Sequence, residues 1–497
     1  MSVLRRLIGA AAALLAGLAL WQLESSRHGL SMTALKAGET PASVYRLPDA
    51  KGPAVIIAHG FAGSRQLMEA YALTLAHAGY VAVSFDFPGH GRNPKPMTGD
   101  VTRIEGTTRQ LVAETAAVID AAVALDAVEG PVVLLGHSMA TDILVRQAAA
   151  DSRVAVVVAV SMYSEAVTAE QPARLLMISG AWERHLRAVA LETLRLVDPQ
   201  AGEGETAVSG DGTVVRRAAV APRVEHVGVL YSAAALEEAL VWIDAALGRV
   251  SERRVAATGP WIALLLGSLL ALAWPLAALL PEAPNPRDRR PQGLPLRSYA
   301  MAVLLPAVLT PLLLYPLSLQ ILPVLVADYL LLHLLVYGLI GLAVLRWRGV
   351  RFGPLALLPL VALLAFGLGV FGVALDRYAA SFLPHAGRLP IILALTLGAV
   401  PFMLADSLVT EAGRAPIWRA LTARAAFLAS LGLAVALDFE RLFFLLLIVP
   451  VIVLFFLVFG LMGRWVGRRS AAPLACGLGL GAILAWALGV SFPLVAN

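Results

Sequence analysis

Two hydrophobic patterns divide the chain. Residues Leu7 to Leu23 form one long apolar run behind the pair Arg5 and Arg6. From Ser31 to Arg254 the runs shorten and become β-branched: Ala54–Ala58, Val81–Phe85, Val132–Leu135, Val154–Val160 and Leu175–Ser179. Helix-like stretches such as Met68–Ala78, Thr107–Ala124 and Ala233–Leu247 separate them. Apolar strands bounded by turns and alternating with helices predict a mostly parallel sheet covered on both faces. After Gly259 the long runs return, each near the ~20 residues that cross a bilayer. Eight are expected: Trp261–Leu280, Tyr299–Leu319, Val324–Leu345, Pro354–Leu375, Leu389–Val409, Leu421–Leu437, Leu442–Met462 and Ala471–Val495.

The pattern therefore predicts three parts: a membrane helix at 1–24, an α/β domain at 31–254, and a helical membrane domain at 259–497. The first run exceeds a usual signal-peptide core and no clear A-x-A site follows it, so it reads as a signal anchor. The weakest span is Leu421–Leu437, where 13 uncharged residues separate Arg424 from Asp438. At 1.5 Å per residue they cover roughly 20 Å, short of a ~30 Å hydrocarbon core. A re-entrant hairpin there would move Arg464, Arg468 and Arg469 to the opposite side, so a span is the preferred reading.

Composition agrees with this division. The chain of 497 residues is 59% hydrophobic and 15% charged, against roughly 25% charged in soluble domains. Its net charge of +5 is unevenly placed. Residues 25–258 carry 21 basic and 25 acidic side chains, whereas the apolar remainder carries 18 and 9. In that remainder fifteen arginines fall in alternate gaps: Arg5 and Arg6; Arg287, Arg289, Arg290 and Arg297; Arg346, Arg348 and Arg351; Arg414, Arg419 and Arg424; Arg464, Arg468 and Arg469. The other gaps hold three: Arg377, Arg388 and Arg441. This asymmetry predicts nine spans with the N-terminus inside and the α/β domain and C-terminus outside. The positive charge reports topology, not nucleic-acid binding. One cysteine, Cys476, excludes an internal disulfide framework and any multi-cysteine metal site.

The chemistry is concentrated in the α/β segment. Gly136-His137-Ser138-Met139-Ala140 follows the run Val132–Leu135 and opens a helix through Ile143 and Ala149. A strand–turn–helix with small residues on either side of a serine is the setting of a nucleophile elbow. Ala140 stands where a second glycine is usual, a mild steric departure. His59-Gly60-Phe61-Ala62-Gly63 follows Ala54–Ala58, and Asp86-Phe87-Pro88-Gly89-His90-Gly91 follows Val81–Phe85. With these three motifs in order, Val44 to Leu247 resembles the α/β-hydrolase family. The resemblance implies a serine nucleophile, Ser138, and an oxyanion hole of the Met139 and Phe61 backbone N–H groups, with neither metal nor organic cofactor.

His226 follows the extended stretch Thr213–Val220 and precedes the helix Ala233–Leu247, which fits the catalytic base in the order serine, acid, histidine. His59 and His90 belong to loop motifs, His137 lies inside the elbow, and His77 and His185 read as surface. For the acid, Glu183 stands three residues after Gly180, where the family places its carboxylate. Glu165 after the preceding strand and Asp211 in a Gly-Asp-Gly turn compete with it. Only Ser161 to Arg174 separates two strand candidates, leaving no room for a large cap.

Asp328, His333, Asp376, Asp406, Asp438 and Glu440 lie in or beside spans, where ionisable groups are costly. Pro306, Pro311, Pro316, Pro401 and Pro450 permit kinks. Three function classes follow. The first is a serine hydrolase in a bacterial inner membrane, cleaving a hydrophobic or lipid-borne ester on the extracytoplasmic side. The second is an acyltransferase using the same triad with a lipid or glycan acceptor. The third is a transporter or receptor with a degenerate hydrolase domain. The sequence leaves the oligomeric state open.

Overall fold

The computed structural model describes residues 2–98, 104–252, 254–283 and 293–496. Arg287, Arg289 and Arg290 of the arginine pattern lie outside the described residues.

The α/β segment folds around one nine-stranded sheet. Its strands are β1 Ser31–Ala37, β2 Thr40–Arg46, β3 Ala54–Ala58, β4 Val81–Phe85, β5 Val132–His137, β6 Val154–Val160, β7 Arg174–Gly180, β8 Thr206–Val208 and β9 Val215–Ala221. They lie in the order β1-β2-β4-β3-β5-β6-β7-β9-β8. The six from β4 to β9 in that order are parallel, and antiparallel partners flank them at both edges. Every residue of β3, β4 and β5 is buried, which explains their unalternating apolar runs. Val55, Ile57, Val133 and Leu135 pack toward the helices Glu69–His77 and Ala233–Leu247. Their neighbours Ile56, Val83 and Leu134 face Arg109–Val123 and Ala140–Ala150. Strand period two sends alternate side chains to the two layers. This is an α/β-hydrolase fold.

Among the described residues, nine helices are long and apolar enough to cross a bilayer. One is Val3–Ser25; the others begin at Gly259, Leu296, Ala327, Leu357, Ala386, Ile417, Leu445 and Pro473. Each expected run corresponds to one of them. The doubtful run begins earlier than expected, as the helix Ile417–Leu437. Its Arg424 lies inside the helix and is paired with Asp406 of the neighbouring helix at 3.2 Å. That pairing lowers the cost of carrying an arginine into the bundle.

Close packing in the bundle depends on small residues. Pro473–Ser491 carries Gly477, Gly481, Ala485 and Gly489 at four-residue spacing. A Cβ at Gly481 would lie 2.7 Å from the Val400 Cα, and one at Gly477 2.8 Å from the Leu404 Cα. Backbone thus packs against backbone on Leu389–Val409, as small-residue stripes permit in membranes. Gly338 meets the other side of the same helix, where a Cβ would approach the Phe402 amide nitrogen to 2.4 Å. The helices run through Pro306, Pro311, Pro401 and Pro450, while Pro316 lies beyond its helix.

The α/β segment sits on one end of the bundle. Arg27 bonds Glu69 and the Arg377 carbonyl, and Arg92 pairs with Asp376 at 2.5 Å. Arg388, 1% exposed, donates to the carbonyls of Gly89, Gly489 and Phe492. The segment 494–496 lies between Met97 and Pro323, exchanging backbone hydrogen bonds with Gly89, Met97 and Pro323. His77, expected at the surface, instead bonds the Ser26 carbonyl at 2.9 Å, joining the first helix to the sheet's covering layer. The three arginines of the sparse gaps, Arg377, Arg388 and Arg441, all lie at this end. The described arginines of the rich gaps lie at the other, where Arg5 packs over Trp274 and Arg469 pairs with Glu282.

Candidate active site

The turn after β5 forces Ser138 into the left-handed region, with φ 53°. A non-glycine residue there stores roughly 1–3 kcal/mol of strain, and the local packing holds it. The Ser138 N–H donates to the Val160 carbonyl at 2.9 Å, and its own carbonyl accepts from Thr141. A Cβ on Gly136 would come within 2.6 Å of Leu144 Cδ1 and 3.1 Å of the Ala140 Cβ. Positions 136 and 140 therefore need small side chains, and alanine meets that need at the second.

His226 Nε2 lies 2.9 Å from Ser138 Oγ, and its Nδ1 lies 2.6 Å from Glu183 Oε1. The other Glu183 oxygen accepts from the Gly180 N–H at 2.6 Å and from Ser161 Oγ at 2.8 Å. Burial pushes the Glu183 carboxyl up. The hydrogen bonds from His226, Gly180 and Ser161 outweigh it, and its pKa sits below the ordinary value. An ionised carboxylate at Nδ1 leaves Nε2 free to accept the serine proton.

Glu183 precedes the helix Arg184–Arg195 and makes no capping bond to it. Its side chain is committed to His226 instead. Glu165 is exposed and bonded by Tyr163, and Asp211 is tied to Ser209 and Thr213 at a hairpin tip. Neither is bonded to His226. Ser161 was not distinguished by sequence reasoning. Its signal is positional: a hydroxyl directly after the carboxyl end of β6, buried and with φ 52°.

The loop after β3 lies against the elbow. A Cβ on Gly60 would be 2.9 Å from His137 Nδ1 and 3.0 Å from the Ser138 Cβ, so glycine permits this approach. The N–H groups of Phe61 and Met139 have no hydrogen-bond partner among the described residues. His59 is buried, with Nδ1 on the Gly60 carbonyl and Nε2 accepting from the Phe87 N–H. That pattern needs a neutral ring protonated at Nδ1, and burial lowers its pKa accordingly. Burial also takes His90 down to about 3 and His137 to about 4. His137 Nε2 rests 2.8 Å from the His226 carbonyl, fixing the backbone that carries the base. Asp86 is buried and accepts from the backbone of Arg65 and Arg92, closing the D-x-x-G-x-G turn.

Several ionisable groups of the spans have structural partners: Asp328 accepts from the Ile321 and Leu322 N–H groups, Asp438 pairs with Arg441, and His333 is bonded to Ser430. No group of three or more His, Cys, Asp or Glu able to hold a metal occurs among the described residues.

A comparison with protein families agrees with the fold of this segment. Residues 49–255 match the family described as serine aminopeptidase, S33. A Vigna radiata epoxide hydrolase mutant is 22% identical, covering 28% of this chain and 40% of its own, with a TM-score of 0.22. The chain thus spans well under half the length of that enzyme. A protein named dienelactone hydrolase from Klebsiella pneumoniae is 16% identical, covering 44% of this chain and 98% of its own, with a TM-score of 0.33. A Thermus thermophilus protein is 18% identical over 44% of this chain and 99% of its own, with a TM-score of 0.31. No curated protein matches the chain.

Proposed function

We propose that the chain is a membrane-bound serine hydrolase that cleaves an ester, thioester or amide of a hydrophobic, lipid-borne substrate. The observation that carries the reading is the continuous relay Ser138 Oγ to His226 to Glu183, at 2.9 and 2.6 Å. Ser138 Oγ attacks the carbonyl carbon while His226 Nε2 takes its proton. The N–H groups of Met139 and Phe61 hold the oxyanion. The bond from the carbonyl carbon to the leaving oxygen, sulfur or nitrogen then breaks, and His226 returns the proton to the departing alcohol, thiol or amine. Water, deprotonated by His226, releases the acid and restores Ser138.

The membrane part of the reading is supported by the nine apolar helices and by the docking of the bundle against the loops after β3 and β4. No cap is inserted between β6 and β7, and Phe61 lies 5.9 Å, ring to ring, from Phe444 of the bundle. On this reading the bundle replaces the cap. The arginine-rich end, opposite the α/β segment, faces the cytoplasm, and the hydrolase faces the exterior of a bacterial inner membrane.

The test is turnover of p-nitrophenyl butyrate by the purified full chain, with and without added long-chain alcohols. Hydrolysis with a stoichiometric burst, lost in Ser138→Ala, supports the reading. Turnover that requires an alcohol would make the chain an acyltransferase; no turnover in either condition contradicts both.

A further inference from the structure

At the end of the bundle that carries the hydrolase, the chain encloses a cavity of about 430 Å³ outside the triad itself. Ligand pockets usually measure ~300–1,000 Å³. Its walls come from the end of the helix Leu296–Leu314, the connection 315–326, the start of Ala327–Trp347 and the turn around Phe444. Leu314, Leu322, Leu332 and Phe444 supply its apolar surface, beside the charged Asp328, Glu440 and Arg441.

Two charged side chains at its edge are committed to shaping it. Arg441 donates to the carbonyls of Leu317 and Tyr315, at 2.8 and 3.3 Å. Asp328 accepts from the N–H groups of Ile321 and Leu322, at 3.0 and 3.1 Å. The connection is thereby pinned at both ends and roofs the cavity. Its crest exposes Tyr315, Leu317, Leu319 and Ile321, the last 68% exposed, with Phe439 and Phe443 beside them. Exposed apolar surface costs about 25 cal/mol per Å² in water, and none of that at the edge of a bilayer. The mouth is built to meet hydrocarbon.

The cavity also reaches toward the nucleophile. Phe444, part of its wall, contacts the Phe61 ring. Phe61 follows Gly60, where an added Cβ would lie 3.0 Å from the Ser138 Cβ. The Phe444 and Phe61 rings, 5.9 Å apart, thus stand between the cavity and the loop that lies against Ser138.

We infer that this cavity is the acyl-chain subsite, taking the hydrocarbon tail of a membrane lipid ester directly from the bilayer while its carbonyl rests at Ser138. The inference rests on the reading of Ser138 as nucleophile. It makes the membrane domain part of substrate recognition, with specificity set by residues of the bundle.

A hexadecyl fluorophosphonate bearing a terminal diazirine tests it on the full chain in lipid nanodiscs. Phosphonylation of Ser138 releases fluoride; light then expels dinitrogen, and the carbene marks whatever surrounds the chain end. Cross-links in 314–332 or 440–445, together with a long-to-short ester ratio of kcat/KM at least tenfold lower in Leu332→Trp, are the expected results. Ser138 labelled but cross-linked only within 44–247 or to lipid, or an unchanged ratio in a folded Leu332→Trp, overturns the subsite alone. Failure to label Ser138 at all overturns the nucleophile assignment and the subsite with it.

Discussion

Ser138, His226 and Glu183 are separated by 45 and 43 positions in chain order, yet two of the three are legible from their immediate neighbours. Small residues at 136 and 140 are required by the approach of these two positions to each other and of position 136 to Leu144. His226 is legible because a histidine after the last parallel strand has few other uses there. Glu183 was separable from Glu165 only by distance in the fold, since both follow a strand end. Ser161 carried no motif, because its role comes from a cross-strand approach of β6 to β7. Glu183→Gln is expected to lower kcat by roughly 10²–10⁴-fold, with Glu165→Gln close to wild type. Steady-state kinetics on a short ester check both, and the opposite ranking would relocate the acid. A pH dependence follows from the buried imidazoles. His90 and His137 titrate near 6.5 when unfolded but at about 3 and about 4 in the fold. Between those limits the unfolded chain binds more protons, so stability is full above about pH 6.5 and falls as pH drops. The loss is about 2 kcal/mol for each at pH 5. Melting curves in detergent are expected to show Tm falling from pH 7.5 to 5; a Tm that is flat or rises on acidification would contradict the buried neutral rings.

Elements were legible wherever one periodicity dominated. Strands β3, β4 and β6 match their expected limits because they are apolar but for Ser84. The β1–β2 hairpin was not separable from a loop: β1 exposes Met32, Thr33, Ala34 and Lys36, so its sequence lacks a clear buried face. The short edge strand β8 has the same difficulty. Among the membrane helices, hydropathy located Leu421–Leu437 but shortened it at Arg424. The Asp406 partner, eighteen residues earlier, lies on a different helix. Asp406→Asn is expected to leave the Arg424 guanidinium unpaired in the bundle, at a cost of roughly 3–5 kcal/mol. A lowered unfolding midpoint, with recovery in Asp406→Asn/Arg424→Leu, checks this; an Asp406→Asn variant as stable as wild type would mean that the pair is solvated.

For the whole molecule, the sequence separates a segment of short β-branched runs from long apolar runs but offers no view of how the two meet. Arg92 and Asp376, or Met97 and Leu494, are hundreds of residues apart, and nothing local to either reports the other. Those contacts bring the loop after β4 against the helical bundle, so the relation of the bundle to the candidate site emerges only in three dimensions. Orientation is open to direct test, because the single native cysteine, Cys476, is buried. Val208→Cys, on the half-exposed edge strand β8, is expected to react with an impermeant maleimide in intact spheroplasts. Protection until lysis would reverse the proposed topology.

The most direct test of the central claim is mass-spectrometric mapping of a fluorophosphonate adduct on the purified full-length chain. The relay predicts one modified residue, Ser138, labelled within minutes and strongly slowed in His226→Ala. Modification of another residue, or equal labelling of Ser138 in His226→Ala, would contradict a Ser138–His226–Glu183 triad.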